Sequence, residues 1–151
     1  MKTLKEGDRV PNLSAVDQDG QTLSFSDYKG KKLVVFFYPE ANTPTCTVEA
    51  CNLRDHYKEL KEAGYEILGV SPDSSKKQKN FQNKYNFPYR LLADKEKKVI
   101  DAFGVWGPKK FMGREYDGLH RTTFVINEHG IIERVIKKVK SKAHAAQILE
   151  H

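Results

Sequence analysis

Residues 33–38, Leu-Val-Val-Phe-Phe-Tyr, form an unbroken apolar run bounded by Lys31-Lys32 before it and Pro39 after it. A strand with one wet face alternates apolar and polar residues. Six apolar positions in a row suit a strand buried on both faces, inside a sheet covered above and below. After the run, spacing changes. From residue 46 to 63, Val48, Cys51, Leu53, Tyr57 and Leu60 recur at steps of two to four until Gly64, which predicts one helix. Tyr65–Ser71 then reads as a second buried strand. A strand, a helix and a strand in that order predict a right-handed parallel unit.

The flanking segments extend this frame. Residues 13–16 and 22–25 surround the turn Asp17-Gln18-Asp19-Gly20 and predict a hairpin. A short helical turn is expected at 26–28. Ser74 or Ser75 caps a helix carrying Phe81 and Tyr85, and 91–93 is a short strand. Residues 97–103 form a short helix closed by Gly104. Thr122–Ile126 and residues 131–136 make a second hairpin about Asn127-Glu128-His129-Gly130, and 141–149 is a terminal helix capped by Ser141. The expected architecture is α/β: a thioredoxin-like fold, with a mixed central β-sheet flanked by helices and an N-terminal β-hairpin, in one domain spanning 1–151. Reactive groups in such sheets gather beyond the carboxyl ends of the strands.

At 151 residues the chain buries enough surface, about 70% of that of the unfolded chain, to fold without a disulfide or metal. Its net charge is +6, but Lys and Arg are dispersed from Lys2 to Lys142 among acids. The denser groups (Lys29 to Lys32, Lys76 to Lys79, Lys137 to Lys140) lack interleaved aromatics or an RNA-binding signature, so no nucleic-acid partner is expected. No segment reaches the ~20 apolar residues of a membrane span. Met1 to Asp8 carries no apolar signal region, so a cytoplasmic location without membrane association is expected. The closing Leu149-Glu150-His151 reads partly as an appended tail, and His151 is given no role.

The chain has two cysteines, Cys46 and Cys51. In a reducing compartment such a pair is catalytic or metal-binding more often than a permanent staple. Zinc wants four ligands, and His56 alone completes no set, so neither metal nor cofactor is expected. Cys46 falls after the buried strand and a Pro/Thr-rich turn, in the first turn of the helix. Thr43 or Thr45 is the expected cap. Free backbone N–H groups and the helix dipole favour an anionic sulfur there. Five residues along one helix give about 7.5 Å of rise and about 140° of rotation, hence Cα atoms about 9 Å apart. A disulfide needs less than about 7 Å. Either Cys51 is a buried structural residue, or the first turns unwind and it resolves an oxidised Cys46; the second reading is adopted.

The segment Tyr38-Pro39-x-x-Asn42-Thr43-Pro44-x-Cys46-Thr47-x-Glu49-Ala50-Cys51 resembles the active-site segment of the peroxiredoxins. It is most similar to the bacterioferritin-comigratory-protein (PrxQ) branch, of atypical 2-Cys type. The diagnostic Pro-x-x-x-Thr-x-x-Cys is met by Pro39, Thr43 and Cys46. Gly7-Asp8-Arg9-Val10-Pro11, Gly69-Val70-Ser71-Pro72-Asp73, the stretch from Tyr85 to Asp94, and that from Gly118 to Ile126 resemble other family segments, so the likeness covers nearly the whole chain. One departure is Thr45, where relatives commonly carry Gly. Thr is less permissive at positive φ, which predicts a stiffer loop or a hydroxyl that helps cap the helix.

The resemblance implies a peroxidase that reduces hydrogen peroxide and organic hydroperoxides. Cys46 is the peroxidatic thiolate and passes through a sulfenic acid. Cys51 is the resolving cysteine, and thioredoxin or a similar dithiol recycles the disulfide. Thr43 offers its hydroxyl to the sulfur and the peroxide, Arg121 stabilises developing charge, and Pro39 shields the site. Glu49 holds the loop or Arg121. The resemblance leaves monomer and weak homodimer open. Trp106, Phe111 and Met112 read as packing residues rather than walls of the site, and His56, His120 and His129 as surface or loop residues. A thiol–disulfide carrier on the same fold would use C-x-x-C, which the spacing here disfavours. A redox sensor or copper chaperone would want a closer cysteine pair with a distal His, of which His120 is the sole hint.

Overall fold

The computed structural model describes residues 1–150. His151 lies outside the described residues. β1 (Ser14–Asp17) and β2 (Thr22–Ser24) form the N-terminal hairpin, followed by a 3-10 turn over Phe25–Tyr28. β3 (Lys32–Phe37) leads through a loop into α1 (Pro44–Asp55) and α2 (Tyr57–Glu62). β4 (Tyr65–Ser71), α3 (Ser75–Tyr85), β5 (Arg90–Ala93) and α4 (Lys98–Phe103) follow. Two hairpins come next, β6 (Trp106–Phe111) with β7 (Arg114–Leu119), and β8 (Thr122–Ile126) with β9 (Ile132–Ile136). A 3-10 turn over Ser141–Ala143 enters α5 (His144–Leu149).

The main sheet has seven strands in the order β2-β1-β5-β4-β3-β8-β9. β3, β4 and β5 are parallel, while β1 and β8 run antiparallel to their neighbours, so the sheet is mixed as expected. The apolar run explains itself on this sheet. Leu33, Val35 and Phe37 face one core with Val99, Ile100 and Phe103 of α4. Val34, Phe36 and Tyr38 face the other, with Ala50 and Leu53 of α1, Phe81 of α3 and Ile148 of α5. Both faces are dry, so period-2 alternation shows no polar residue.

Three local expectations are corrected. The helix expected over 46–63 breaks at His56, whose backbone (φ −110°, ψ 16°) separates α1 from α2. At the break the Asn52 carbonyl is shared between the His56 backbone N at 3.2 Å and the His56 ring Nδ1 at 2.9 Å. Val48, placed by spacing on the apolar face, is exposed. Ser141 opens a 3-10 turn and caps nothing, whereas Ser74 does accept from Lys77 N at 3.3 Å.

The β6–β7 hairpin is the element that spacing missed. Its first strand, Trp-Gly-Pro-Lys-Lys-Phe, contains Pro and paired lysines and has no period of two. Its turn is Met112-Gly113, both at positive φ (51° and 79°), the demand of a two-residue hairpin turn. Asn or Asp usually fills the first of these positions, so Met112 hid the signal. Phe111 and Met112 stand exposed at this tip. Trp106 packs on the α4 side of the sheet, with Lys97 Nζ 4.0 Å from its ring centroid.

Candidate active site

The loop after β3 is held from several directions. Tyr38 N donates to Val70 O at 3.0 Å, which keeps the chain beside β4 one residue beyond the strand. The Tyr38 hydroxyl is buried on Gln78 Oε1 at 2.5 Å. Ala41 N donates to Asp73 Oδ2 at 2.7 Å, and Ser71 Oγ donates to the same oxygen at 2.7 Å. Asn42 takes the left-handed conformation (φ 64°), which Asn tolerates better than most residues. Pro39 is half-buried at the loop entrance.

Thr43 occupies the N-cap position of α1 in extended conformation and Pro44 follows as the first helical residue. This order stops the strand and starts the helix, because Pro fits the first turn, where its missing N–H is not needed. Cys46 is thereby the third helical residue, within the first turn as expected. The expected side-chain cap is absent: Thr43 Oγ1 donates instead to Glu40 O at 2.8 Å. Thr45 lies exposed within the first turn and is not among the positive-φ residues, so replacing the usual Gly strains nothing.

Cys46 is 1% exposed. Arg121, in the short link between β7 and β8, reaches across to it. Its Nη2 donates to Cys46 Sγ at 3.1 Å and its Nη1 to Glu49 Oε1 at 2.6 Å. Cys46 and Glu49 are three apart on α1 and so share the face that meets Arg121. The guanidinium fork thus bridges a sulfur and a carboxylate, a geometry Lys could not reproduce.

The electrostatics of the bridge pull in opposite senses. Burial works against the Arg121 charge, but Glu49 and Cys46 outweigh it and strengthen its hold on its proton. Glu49 is 0% exposed, and there burial wins over the attraction and hydrogen bond of Arg121, pushing its carboxyl up to about 7. An acid raised this far loses stability as pH climbs, because the unfolded chain releases its proton first. The stability Glu49 contributes is therefore full below about 4.5 and is lost by about 7. Glu49→Gln, which cannot ionise, is expected to gain thermal stability relative to wild type as pH rises across this window. Melting curves at pH 4.5 and 8 check this, and a difference independent of pH would refute it.

Cys51 is half-buried and, like Cys46, a free thiol. Burial pushes its thiol up, with Arg54 opposing and Asp55 adding to the shift. Both cysteines sit in the intact α1. That helix is tied to its surroundings by side chains which sequence reasoning overlooked. Tyr89 OH donates to Ala50 O at 2.6 Å. Asn52 Oδ1 accepts from Ala145 N at 2.8 Å and its Nδ2 donates to Lys142 O at 3.0 Å. Arg54 Nη1 donates to Tyr85 O at 2.9 Å. Nothing in their spacing marks these residues, because each bond joins segments far apart in the chain. Tyr89→Phe removes one tie without emptying the core. It is expected to cost about 1 kcal/mol of stability and to speed closure of a Cys46–Cys51 disulfide, measured by quenched-flow thiol alkylation. Slower closure would contradict it.

The histidines expected at the surface carry structural bonds. His120 Nε2 lies 3.0 Å from Pro108 O, and the His129 carbonyl accepts from Arg9. Another, His144 on α5, escaped sequence reasoning altogether. It is fully buried, with Nε2 at 3.5 Å from Glu49 Oε2. No group of three or more His, Cys, Asp or Glu poised for a metal exists among the described residues.

Comparison with known proteins places this geometry. The profile of the AhpC/TSA family matches residues 6–135. The chain is 45% identical over 149 residues to peroxiredoxin Bcp of Escherichia coli K12, covering 99% of this chain and 96% of that protein. The crystal structure of peroxidoxin BcpB from Mycobacterium tuberculosis superposes with a TM-score of 0.85 at 36% identity, over 97% of this chain and 94% of that one. Bacterioferritin comigratory protein of Xanthomonas campestris, studied for alkyl peroxide reduction in trapped intermediate and ligand complexes, superposes with a TM-score of 0.85 at 33% identity, over 91% and 87% of the two chains.

Proposed function

We infer the roles at this site from the family to which the chain belongs, the AhpC/TSA family in its Bcp/PrxQ peroxiredoxin branch. The chain is a thiol-dependent peroxidase: it reduces peroxides at the expense of a thiol reductant. In the proposed cycle the Cys46 thiolate attacks the terminal oxygen of R–O–O–H. The S–O bond forms as the O–O bond breaks, and the departing RO⁻ takes a proton to leave as alcohol, or as water when R is H. Cys46 is left as a sulfenic acid. Cys51, as thiolate, then attacks the Cys46 sulfur, and the S–OH bond breaks with loss of hydroxide, which is protonated to water. The resulting disulfide is reduced by a dithiol, for which thioredoxin is proposed.

The observation that supports this cycle is the guanidinium bridge from Arg121 to Cys46 Sγ and Glu49 Oε1. The bridge aims a fixed cationic donor at the sulfur that bears the negative charge at the start of the attack. It lies beside the O–O bond across which that charge moves, so Arg121 favours the transition state without having to reorganise. Glu49 positions the guanidinium. Pro39 and the buried setting keep bulk water from the sulfur, while Thr43, its hydroxyl hydrogen held by Glu40 O, presents lone pairs to a peroxide O–H. For Cys51 to resolve, the start of α1 must unwind, against the tie from Tyr89 to the Ala50 carbonyl. Helix ends open locally at modest cost. A cytoplasmic location and a monomer or weak homodimer belong to the same proposal. No helix among the described residues is long and apolar enough to cross a membrane.

Separating the half-reactions tests the assignment. Cys51→Ser is expected to leave the first reduction of hydrogen peroxide at its wild-type rate in single-turnover stopped flow, and to lose nearly all recycling by a thioredoxin system. Unimpaired recycling would reject Cys51 as the resolving residue.

A further inference from the structure

Glu49 Oε2 is, among the described residues, the one buried side-chain polar atom without a hydrogen-bond partner. Its carboxylate partner oxygen, Oε1, is held by Arg121 at 2.6 Å. Oε2 faces His144 Nε2 across 3.5 Å, and both side chains are 0% exposed. An orphaned carboxylate oxygen in so dry a place costs free energy unless something satisfies it.

The state of the His144 ring follows from its neighbours. Gln147 Nε2 donates to Lys138 O at 2.9 Å, and Gln147 Oε1 accepts from Lys140 N at 2.8 Å. The amide is oriented by these two bonds, so the atom 2.9 Å from His144 Nδ1 is an oxygen. An amide oxygen only accepts, hence Nδ1 carries the hydrogen and Nε2 of the neutral ring carries a lone pair. Thr123 Oγ1, 2.7 Å away, donates to that nitrogen. Glu49 Oε2 therefore faces an acceptor. Thr123 fills the one in-plane lone pair of that nitrogen, so the ring gives Oε2 no hydrogen to bind a negative charge, and a proton on Oε2 itself removes the unfavourable anion.

We propose that Glu49 Oε2, facing an imidazole nitrogen that offers it no hydrogen, carries an exchangeable proton of its own, and that His144 is thereby a positioning residue governing how Glu49 divides the Arg121 charge between itself and Cys46. With the proton in place, Glu49 is a neutral acid. It still accepts from Arg121 through Oε1 and keeps the fork aligned, but leaves the cationic charge to the sulfur. Without the proton, the carboxylate draws that charge to itself. Burial pushes the Glu49 carboxyl up to about 7 and the His144 ring down to about 4, so the proton resides on the carboxyl near neutrality. The other groups facing the pair are Arg121 ahead of β8, Cys46 on α1 and the Tyr89 phenol of β5, which burial pushes far up and keeps protonated. None of these replaces Glu49 as the group that titrates there.

The inference rests on the proposed role of Cys46, so the test has one arm that needs no activity. Nitrogen-15 NMR of histidine-labelled, reduced protein is followed from pH 5 to 9. His144 is expected to keep a protonated Nδ1 and a bare Nε2 throughout. Its shifts should move once, with a midpoint about 7, and that movement should vanish in Glu49→Gln. An ordinary imidazole titration of His144, or the same movement persisting in Glu49→Gln, would overturn the proposal. The second arm is the rate constant for Cys46 oxidation by hydrogen peroxide over the same range. The ratio of wild type to Glu49→Gln should be near one on the acid side and fall several-fold on the alkaline side. In His144→Gln an amide N–H replaces the lone pair and favours the carboxylate, so this step should move to lower pH. An unmoved step would overturn the role of His144. NMR behaviour as expected in a protein whose Cys46 does not react with peroxide would leave the Glu49 proton standing and sink the reading of Cys46 instead.

Discussion

Cys46→Ser is expected to abolish peroxide consumption by the reduced protein in the presence of a thioredoxin recycling system. The physical ground is specific. A serine hydroxyl ionises far above any working pH and is a poor nucleophile toward an O–O bond, so the same Arg121 donor would face a neutral, unreactive oxygen. The substitution is nearly isosteric, and Cys46 is wholly buried in the core cluster that also holds Ala50, Leu53 and Tyr38, so the fold should survive. Circular dichroism of the variant checks that point. Turnover vanishing in a folded variant supports Cys46 as the peroxidatic residue. Turnover at a substantial fraction of wild type would reject the mechanism, Cys51 and all.

Arg121→Ala is expected to have the next largest effect. Loss of a preorganised charged donor at the reacting centre lowers such rates by about 10²–10³, or about 2.7–4 kcal/mol. The relevant measurement is the second-order rate constant for Cys46 oxidation in single-turnover stopped flow. The variant also strips Glu49 of its cation. A buried carboxylate left alone costs about 3–5 kcal/mol, unless it takes up a proton. The stability loss should therefore be larger at pH 8 than at pH 5, where Glu49 is protonated. Arg121→Lys separates the two effects: it restores a charge near Glu49 but cannot donate to sulfur and carboxylate together. It should recover stability more than rate. A rate within threefold of wild type in Arg121→Ala would remove Arg121 from the chemistry.

The backbone plan was legible because the strongest signals are local. A six-residue apolar run, its partner at Tyr65–Ser71 and the Gly64 stop define a doubly covered sheet whatever lies around them. Thr43-Pro44 announces a helix start, and the third position of that helix is where Cys46 stands. Where local chemistry was unusual, reading failed. A Met at a positive-φ turn position concealed the β6–β7 hairpin, and a non-helical backbone at His56 divides a helix that apolar spacing drew as one.

The site divides along the same line. Cys46, Cys51, Thr43, Pro39 and Glu49 lie within thirteen consecutive residues, and the resemblance of that segment carried their roles together. Arg121 came from a second, distant segment of the same resemblance; an arginine before a strand has no distinguishing local pattern. His144 was invisible, as were Thr123, Gln147, Asn52 and Tyr89. Their meaning depends on α5 and β8 packing against α1, which sets a ring nitrogen 3.5 Å from a buried carboxylate oxygen nearly a hundred residues earlier. Sequence by itself singled out the atom proposed to react and determined the kind of scaffold that carries it, because helix starts and strand burial are written in neighbouring residues. Only the tertiary structure decided what surrounds that atom, since desolvation and the pairing of buried charges are properties of packed segments that the chain order keeps apart.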